Sequence, residues 1–126
     1  MIVGIGTDIV KVSRMAESLD KHGARFAKRI LADAEYEQFQ QKSSPALFLA
    51  KRFAAKEAAV KALGTGFRDG ISMHHIVVEN DILGKPCLQF SDVAKTKIEE
   101  QQITHSHLSS ADEQEYAIAY VVLEKV

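Results

Sequence analysis

The chain lacks most of what a secreted or membrane protein depends on. Its 126 residues include one cysteine, Cys87, so no internal disulfide is available and stability must come from a packed core. There are only two prolines and no tryptophan, and no internal repeat, low-complexity tract or Pro/Gly/Ser-rich linker interrupts the sequence. With no linker there is no domain boundary, and residues 1–126 are expected to form a single domain. No apolar run reaches the roughly 20 residues that a membrane-spanning helix requires. Apolar residues nevertheless make up 46% of the chain, which excludes a disordered tail. For this size, folding should bury roughly two thirds of the unfolded surface. Met1-Ile2-Val3-Gly4 enters a strand-like segment with no signal-peptide pattern. Together with the lone thiol, this makes a reducing cytoplasm the expected compartment.

Net charge is scarce as well, only −1, but it is unevenly spread. Residues 1–68 carry 12 Lys/Arg against 7 Asp/Glu, and residues 69–126 carry 4 against 10. The basic side chains Lys11, Arg14, Lys21, Arg25, Lys28 and Arg29 fall within nineteen residues that hold only Glu17 and Asp20 as acids. Such a face attracts phosphates or an acidic partner, or is simply a solvated helix surface. Nucleic acid is a poor fit because no aromatics interleave with these charges. A membrane surface fits poorly too, for want of a matching Trp/Phe-rich face.

Ile2 to Val10 reads as a strand in which Gly4, Gly6, Asp8 and Val10 share one face. Glycines inside a strand mark close approach by another backbone or a ligand, and Asp8 stands beside that gap. Ser13 is the expected N-cap of a helix ending at Gly23, with Met15 and Leu19 inward and Arg14 and Lys21 outward. Phe26, Ile30 and Leu31 form a further apolar set, and Asp33 is the expected cap of a short helix carrying Tyr36 and Phe39.

Ser44-Pro45 starts a helix that runs to Leu63 and stops at Gly64. Leu49, Phe53, Val60 and Leu63 cluster on one side, while alanines fill most of the rest, so this helix is expected to be packed nearly all round. Charges on such a helix are costly unless paired or ligated. Glu57 and Lys61 stand one turn apart at the border of the apolar stripe, where an ordinary i,i+4 ion pair is the simplest arrangement.

Beyond the Gly64-Thr65-Gly66 loop, His75–Glu79 and Cys87–Phe90 read as a hairpin, and Ser91 as the cap of a helix to about Gln102. Two more strands, Thr104–Ser109 and Ala117–Leu123, flank a polar turn at 111–115. His105, His107 and Ser109 share a face of the first, and the second is apolar enough to be central. The order strand, three helices, hairpin, helix, hairpin is α+β: an antiparallel sheet packed with helices, one of them nearly buried.

Gly4-Ile5-Gly6 lacks the third glycine and the strand end that a dinucleotide turn needs. There is no phosphate-binding Gly-x-x-x-x-Gly-Lys-Ser/Thr loop and no Gly-x-Ser-x-Gly elbow. His74-His75 and His105-x-His107 lack zinc-site spacing. What remains is Asp8 and Glu57, two hard oxygen ligands remote in sequence with basic residues nearby. Magnesium is usually held this way, with water and substrate phosphates completing its octahedron, and that implies phosphoryl-type chemistry.

Five segments, in order and at matching spacing, resemble the holo-[acyl-carrier-protein] synthase family of 4′-phosphopantetheinyl transferases. They are Gly4-Ile5-Gly6-Thr7-Asp8-Ile9-Val10, Phe48-Leu49-Ala50-Lys51-Arg52-Phe53-Ala54-Ala55-Lys56-Glu57-Ala58, Lys61-Ala62-Leu63-Gly64-Thr65-Gly66, Gly84-Lys85-Pro86 and His107-Leu108-Ser109. The resemblance implies the fold of that family and transfer of 4′-phosphopantetheine from coenzyme A to a serine of apo-acyl-carrier protein, in fatty acid biosynthesis. It implies Mg²⁺ on Asp8 and Glu57, catalytic roles for Glu57, Lys61 and His107, and a homotrimer with active sites between subunits. It places Arg52, Lys61, Gly64, Thr65, Gly66, Gly84, Lys85, Pro86, His107 and Ser109 against coenzyme A, and Arg14, Lys21 and Arg25 against the carrier protein. The proton acceptor stays open between Glu57 acting through a metal-bound water and His107 acting directly. A non-catalytic module gripping acidic partners through residues 11–29 is the competing reading, and costly charges kept on a packed helix argue against it.

Overall fold

Strand β1 (Ile2–Lys11) lies against helix α4 (Pro45–Leu63), and glycine makes that contact possible. The computed structural model describes the whole chain, Met1–Val126. A Cβ built on Gly4 would collide with the carbonyl oxygen of Ala62, and one on Gly6 with that of Ala58. The partner approaching the glycine face is therefore backbone, and the two elements meet without intervening side chains. Helix α4 is buried on nearly all sides, as its alanines predict, with Leu49, Ala54, Ala58 and Val60 fully enclosed. Gly64 ends it in the left-handed conformation at φ 80°.

β1 pairs with β5 (Tyr116–Glu124), which pairs with β4 (His105–Asp112), in an antiparallel sheet of order β1-β5-β4. The central place of β5 agrees with its apolar character. Its residues alternate, however: Ala117, Ala119, Val121 and Leu123 point inward, while Tyr116, Ile118 and Tyr120 stay exposed. Across β1 the same outer face carries Ile5 and Ile9, also exposed. A second sheet pairs β2 (Ile76–Asn80) with β3 (Pro86–Phe90), so the antiparallel structure is divided in two rather than continuous.

Helices α1 (Val12–His22), α2 (Ala24–Ile30), α3 (Asp33–Gln40) and α5 (Asp92–Glu100) complete the α+β fold. No helix is long and apolar enough to cross a membrane.

Several boundaries differ from expectation. α1 begins before Ser13, because Val12 still bonds through its N–H to Glu115 O at 2.8 Å and the chain turns straight from strand into helix. Residues 24–30 form a helix of their own, not anticipated as one. Ala32, not Asp33, occupies the N-cap of α3, and its N–H is satisfied by Glu35 Oε1 at 2.9 Å. The Ser91 hydroxyl bonds His75 O rather than capping α5, and that helix stops at Glu100, ahead of Gln102 with its positive φ of 59°. The last strand pair is longer than predicted, which confines the turn to residues 113–115.

The fold is tied together by one buried charge cluster. Lys56 Nζ on α4 donates to Glu35 Oε1 at 2.6 Å, to Ile30 O at 2.7 Å and to Met73 O at 3.0 Å. Glu35 Oε2 accepts from Val78 N–H at 3.0 Å. These bonds link the end of α2, the start of α3, α4, the 3-10 turn Met73–His75 and β2. Burial lowers the Lys56 pKa, opposed by the adjacent Glu35 charge.

Candidate active site

Asp8 and Glu57 meet where β1 crosses α4. Asp8 lies on the inner, glycine-lined face of β1, its side chain 17% exposed, and Glu57 is half-buried on the helix. The Glu57 carboxyl is pushed above its usual range first by burial and then by the charge of Asp8, against an opposing pull from Lys61. Two carboxylates facing one another in this way form a site that a divalent cation would relieve. No group of three or more acidic, His or Cys side chains gathers around it or elsewhere. The protein offers two oxygen donors and leaves further positions to water or substrate, and such a donor set fits magnesium.

Lys61 does not pair with Glu57, as the spacing on the helix suggested. Its ammonium reaches across to β1, donating to Asp8 Oδ1 and to the Thr7 carbonyl, each at 3.0 Å. It remains about half exposed, a cation at the edge of the carboxylate site. Gly64, Thr65 and Gly66 follow directly, with the Thr65 and Gly66 N–H groups folded onto Val60 O.

The other predicted residues lie elsewhere on the single chain. Arg52 is five positions before Glu57, about 140° around the helix. Its guanidinium stacks 4.7 Å above the Phe48 ring and donates to Gln38 Oε1 at 3.1 Å, while its buried Nε lies 3.6 Å from Glu35 without a hydrogen bond. Burial lowers the Arg52 pKa, with Glu35 opposing. Gly84 and Lys85 belong to the β2–β3 turn and Pro86 opens β3; Asp81 Oδ1 holds the turn by accepting from the Leu83 and Lys85 N–H groups at 2.9 Å.

Register decides the position of His107 and Ser109. Thr7 faces Tyr120, which faces Ser109, and Ile5 faces Val122, which faces His107. Residues directly opposite in an antiparallel sheet share a face. His107 and Ser109 are therefore on the outer face with Ile5 and Thr7, whereas Asp8 aligns with Ala119 and Ser110 on the inner face. Within one chain the sheet separates His107 from the carboxylates. Arg14, Lys21 and Arg25 are all exposed, on and just after the helix that leaves β1.

Two residues bearing on the site were not anticipated. Lys56, next to Glu57, is fully buried; a lysine in a helix that is apolar on every side was the available signal. Glu124, bonded to His107 at 3.1 Å, gave no signal in its own segment.

Residues 4–121 match the 4′-phosphopantetheinyl transferase superfamily. The chain is 50% identical over 125 residues to a holo-[acyl-carrier-protein] synthase of Nitrosospira multiformis, covering 99% of this chain and 100% of that one. Its fold superposes on the crystal structure of holo-[acyl-carrier-protein] synthase from Neisseria meningitidis with a TM-score of 0.94 at 46% identity, covering 99% of this chain and 100% of that one. It also matches a holo-(acyl-carrier-protein) synthase from Bacillus anthracis in complex with CoA (3′,5′-ADP), at a TM-score of 0.83 and 41% identity over 100% of this chain and 99% of that one. With its inner carboxylate pair carried on the same elements that the matching segments span, this chain belongs to the 4′-phosphopantetheinyl transferase superfamily, within its holo-[acyl-carrier-protein] synthase family.

Proposed function

We propose that the protein transfers 4′-phosphopantetheine from coenzyme A to a serine of apo-acyl-carrier protein, releasing adenosine 3′,5′-bisphosphate, as a cytoplasmic step of fatty acid biosynthesis. The observation that carries this is the meeting of Asp8, Glu57 and Lys61 at the β1–α4 crossing in a member of this family. In the reaction the serine Oγ forms a bond to the phosphorus bearing pantetheine. The bridging P–O bond breaks, and the serine proton passes to a base.

Asp8 and Glu57 would hold Mg²⁺. Bound there, it would supply positive charge to the pyrophosphate oxygens and screen the two carboxylates from one another. Lys61 adds a second positive charge beside them. The protein's contribution is then positioning and electrostatics, as is usual in phosphoryl-type transfer. Coenzyme A is assigned to Arg52, Lys61, Gly64–Gly66, Gly84–Pro86, His107 and Ser109, and the carrier protein's acidic surface to Arg14, Lys21 and Arg25.

These coenzyme A residues lie on different sides of one chain, which supports a site completed by a second copy. The exposed apolar sheet face of Ile5, Ile9, Ile118 and Tyr120 supports assembly, and a homotrimer is the form proposed. The test is to incubate the protein with coenzyme A, Mg²⁺ and an apo-acyl-carrier protein and to weigh the carrier. Gain of one phosphopantetheinyl group, abolished by EDTA, is expected. No gain from folded protein with several carriers would leave only a binding module.

A further inference from the structure

Glu124, at the end of β5, is the one side chain bonded to His107, at 3.1 Å from Nε2 to Oε1. The contact runs diagonally across two strands. His107 is opposite Val122 and Glu124 is opposite His105, which places Glu124 two residues along on the same outer face. Its backbone is fixed, since its carbonyl accepts from the Thr104 N–H at 2.9 Å and Ile2 flanks it on β1. A carboxylate on the rigid central strand thus holds an imidazole on the edge strand.

The position of the proton follows. The Glu124 carboxyl is held below its ordinary range first by the hydrogen bond from His107, with the N-terminal ammonium and the charges of His107 and His105 adding and desolvation opposing. An ionised carboxylate only accepts hydrogen bonds. With that carboxylate ionised, the hydrogen in the 3.1 Å contact is assigned to His107 Nε2, and a ring that carries no second proton has its lone pair on Nδ1. His105 does not share this arrangement, because its own Nδ1 is engaged by the Thr104 hydroxyl at 3.0 Å.

We infer that Glu124 is a positioning residue for the transfer reaction: it fixes the orientation and tautomer of His107, so that Nδ1 is the ring atom presented to substrate at the carboxylate site of a neighbouring copy. The inference rests on the function proposed above. It follows the general pattern in which a carboxylate on one ring nitrogen sets what the other can do. Glu124 acts only through the ring and touches no substrate.

The test joins a spectroscopic and a kinetic measurement on the intact protein. In ¹⁵N-edited NMR at pH 8, the wild-type His107 ring is expected in the Nε2–H form, with mixed tautomers in Glu124→Ala. Carboxylate partners of metal-ligating histidines cost about 10- to 100-fold when removed, and by analogy a loss of that order in kcat/KM is expected for Glu124→Ala. Glu124→Gln, whose amide oxygen still accepts the Nε2 hydrogen, should recover most of it. In a His107→Ala background, Glu124→Ala should cost nothing more. Thermal melts and sizing of both Glu124 variants separate these effects from misfolding. An unchanged tautomer, an undiminished kcat/KM in Glu124→Ala, or additive losses in the double variant would each overturn the inference while the transfer reaction stands. A wild-type protein that transfers nothing would remove the function itself.

Discussion

Glu35 and Lys56 form an ion pair of 2.6 Å in which neither side chain retains more than 1% exposure. Every atom of that ammonium's hydrogen-bonding capacity is used, and the carboxylate accepts two backbone N–H groups besides. Breaking a buried pair from one side leaves the partner charge unpaired, at a cost of about 3–5 kcal/mol. Lys56→Met is therefore expected to lower the melting temperature by about 10 °C or more, as read by calorimetry. Combining it with Glu35→Gln should restore part of the loss, since the fully buried carboxylate charge is then removed, and the recovery is only partial because Arg52 loses its acidic neighbour. A Lys56→Met protein as stable as wild type would show that the pair is not a stabilising hub.

Gly6 sits where β1 and α4 touch, and a methyl group there would meet the carbonyl of Ala58. Overpacking of this kind typically costs about 1–3 kcal/mol or more. Backbone cannot yield as a flexible side chain does, so Gly6→Ala should force strand and helix apart and move Asp8 away from Glu57. The expected result is loss of both stability and metal-dependent transfer. Gly64→Ala is the contrast: nothing lies within 4 Å of the added carbon, and only the left-handed backbone at φ 80° opposes it. Transfer activity should fall far less there.

How the sequence carried these features differs from residue to residue. The glycine face of β1 was legible, and so was the buried helix, because strand alternation and an alanine-rich helix each leave a periodic trace. Asp8 and Glu57 stood out as charges at positions where charge is costly. The partner of Lys61 did not, since local spacing offered Glu57 and only the crossing of β1 over α4 brought Asp8 within reach. Glu35 and Lys56 are 21 residues apart and on different helices, so no periodic pattern connects them. Which face of the sheet His107 occupies depends on strand order and register, both tertiary facts.

Glu57 carries a pH signature. Its folded carboxyl lies above the ordinary value of 4.5, because burial and Asp8 both disfavour the charge. At this group the folded protein then binds more protons than the unfolded chain over the range just above 4.5, so the Glu57 contribution to the stability of the metal-free protein falls as pH rises through that range. Glu57→Gln should flatten this slope and raise the neutral-pH melting temperature, while abolishing transfer. Added Mg²⁺ should stabilise the wild type by mass action, about 2.7 kcal/mol at a hundredfold excess over Kd, and leave Asp8→Asn and Glu57→Gln unmoved. Equal stabilisation of all three would place the metal elsewhere.

The exposed cations of α1 and α2 lead to a kinetic prediction. Charge reversal at Arg14, Lys21 or Arg25 removes attraction for an acidic carrier surface without touching the carboxylate site. Each is expected to raise KM for the carrier protein severalfold and leave KM for coenzyme A unchanged. Wild-type KM for the carrier should rise with salt, because exposed charges are screened over about 10 Å at 0.1 M. Salt-independent kinetics would argue for an apolar docking surface instead.

The sheet that separates His107 from Asp8 makes assembly testable by mixing. If each site takes its carboxylates from one copy and its histidine from another, an Asp8→Ala chain and a His107→Ala chain are defective in complementary parts. Alone, the first should be inactive and the second impaired. After mild dissociation and reassembly of a mixture, sites form in which an intact Asp8 faces an intact His107, roughly a quarter of all sites for random reassociation. Activity should then exceed that of either variant, and sizing should show the same oligomer throughout. Placing both substitutions on one chain and mixing it with wild type supplies the control for simple dilution. If the complementary mixture gains nothing beyond the sum of its parts, His107 serves no neighbouring carboxylates, and its outward position on β4 has another purpose.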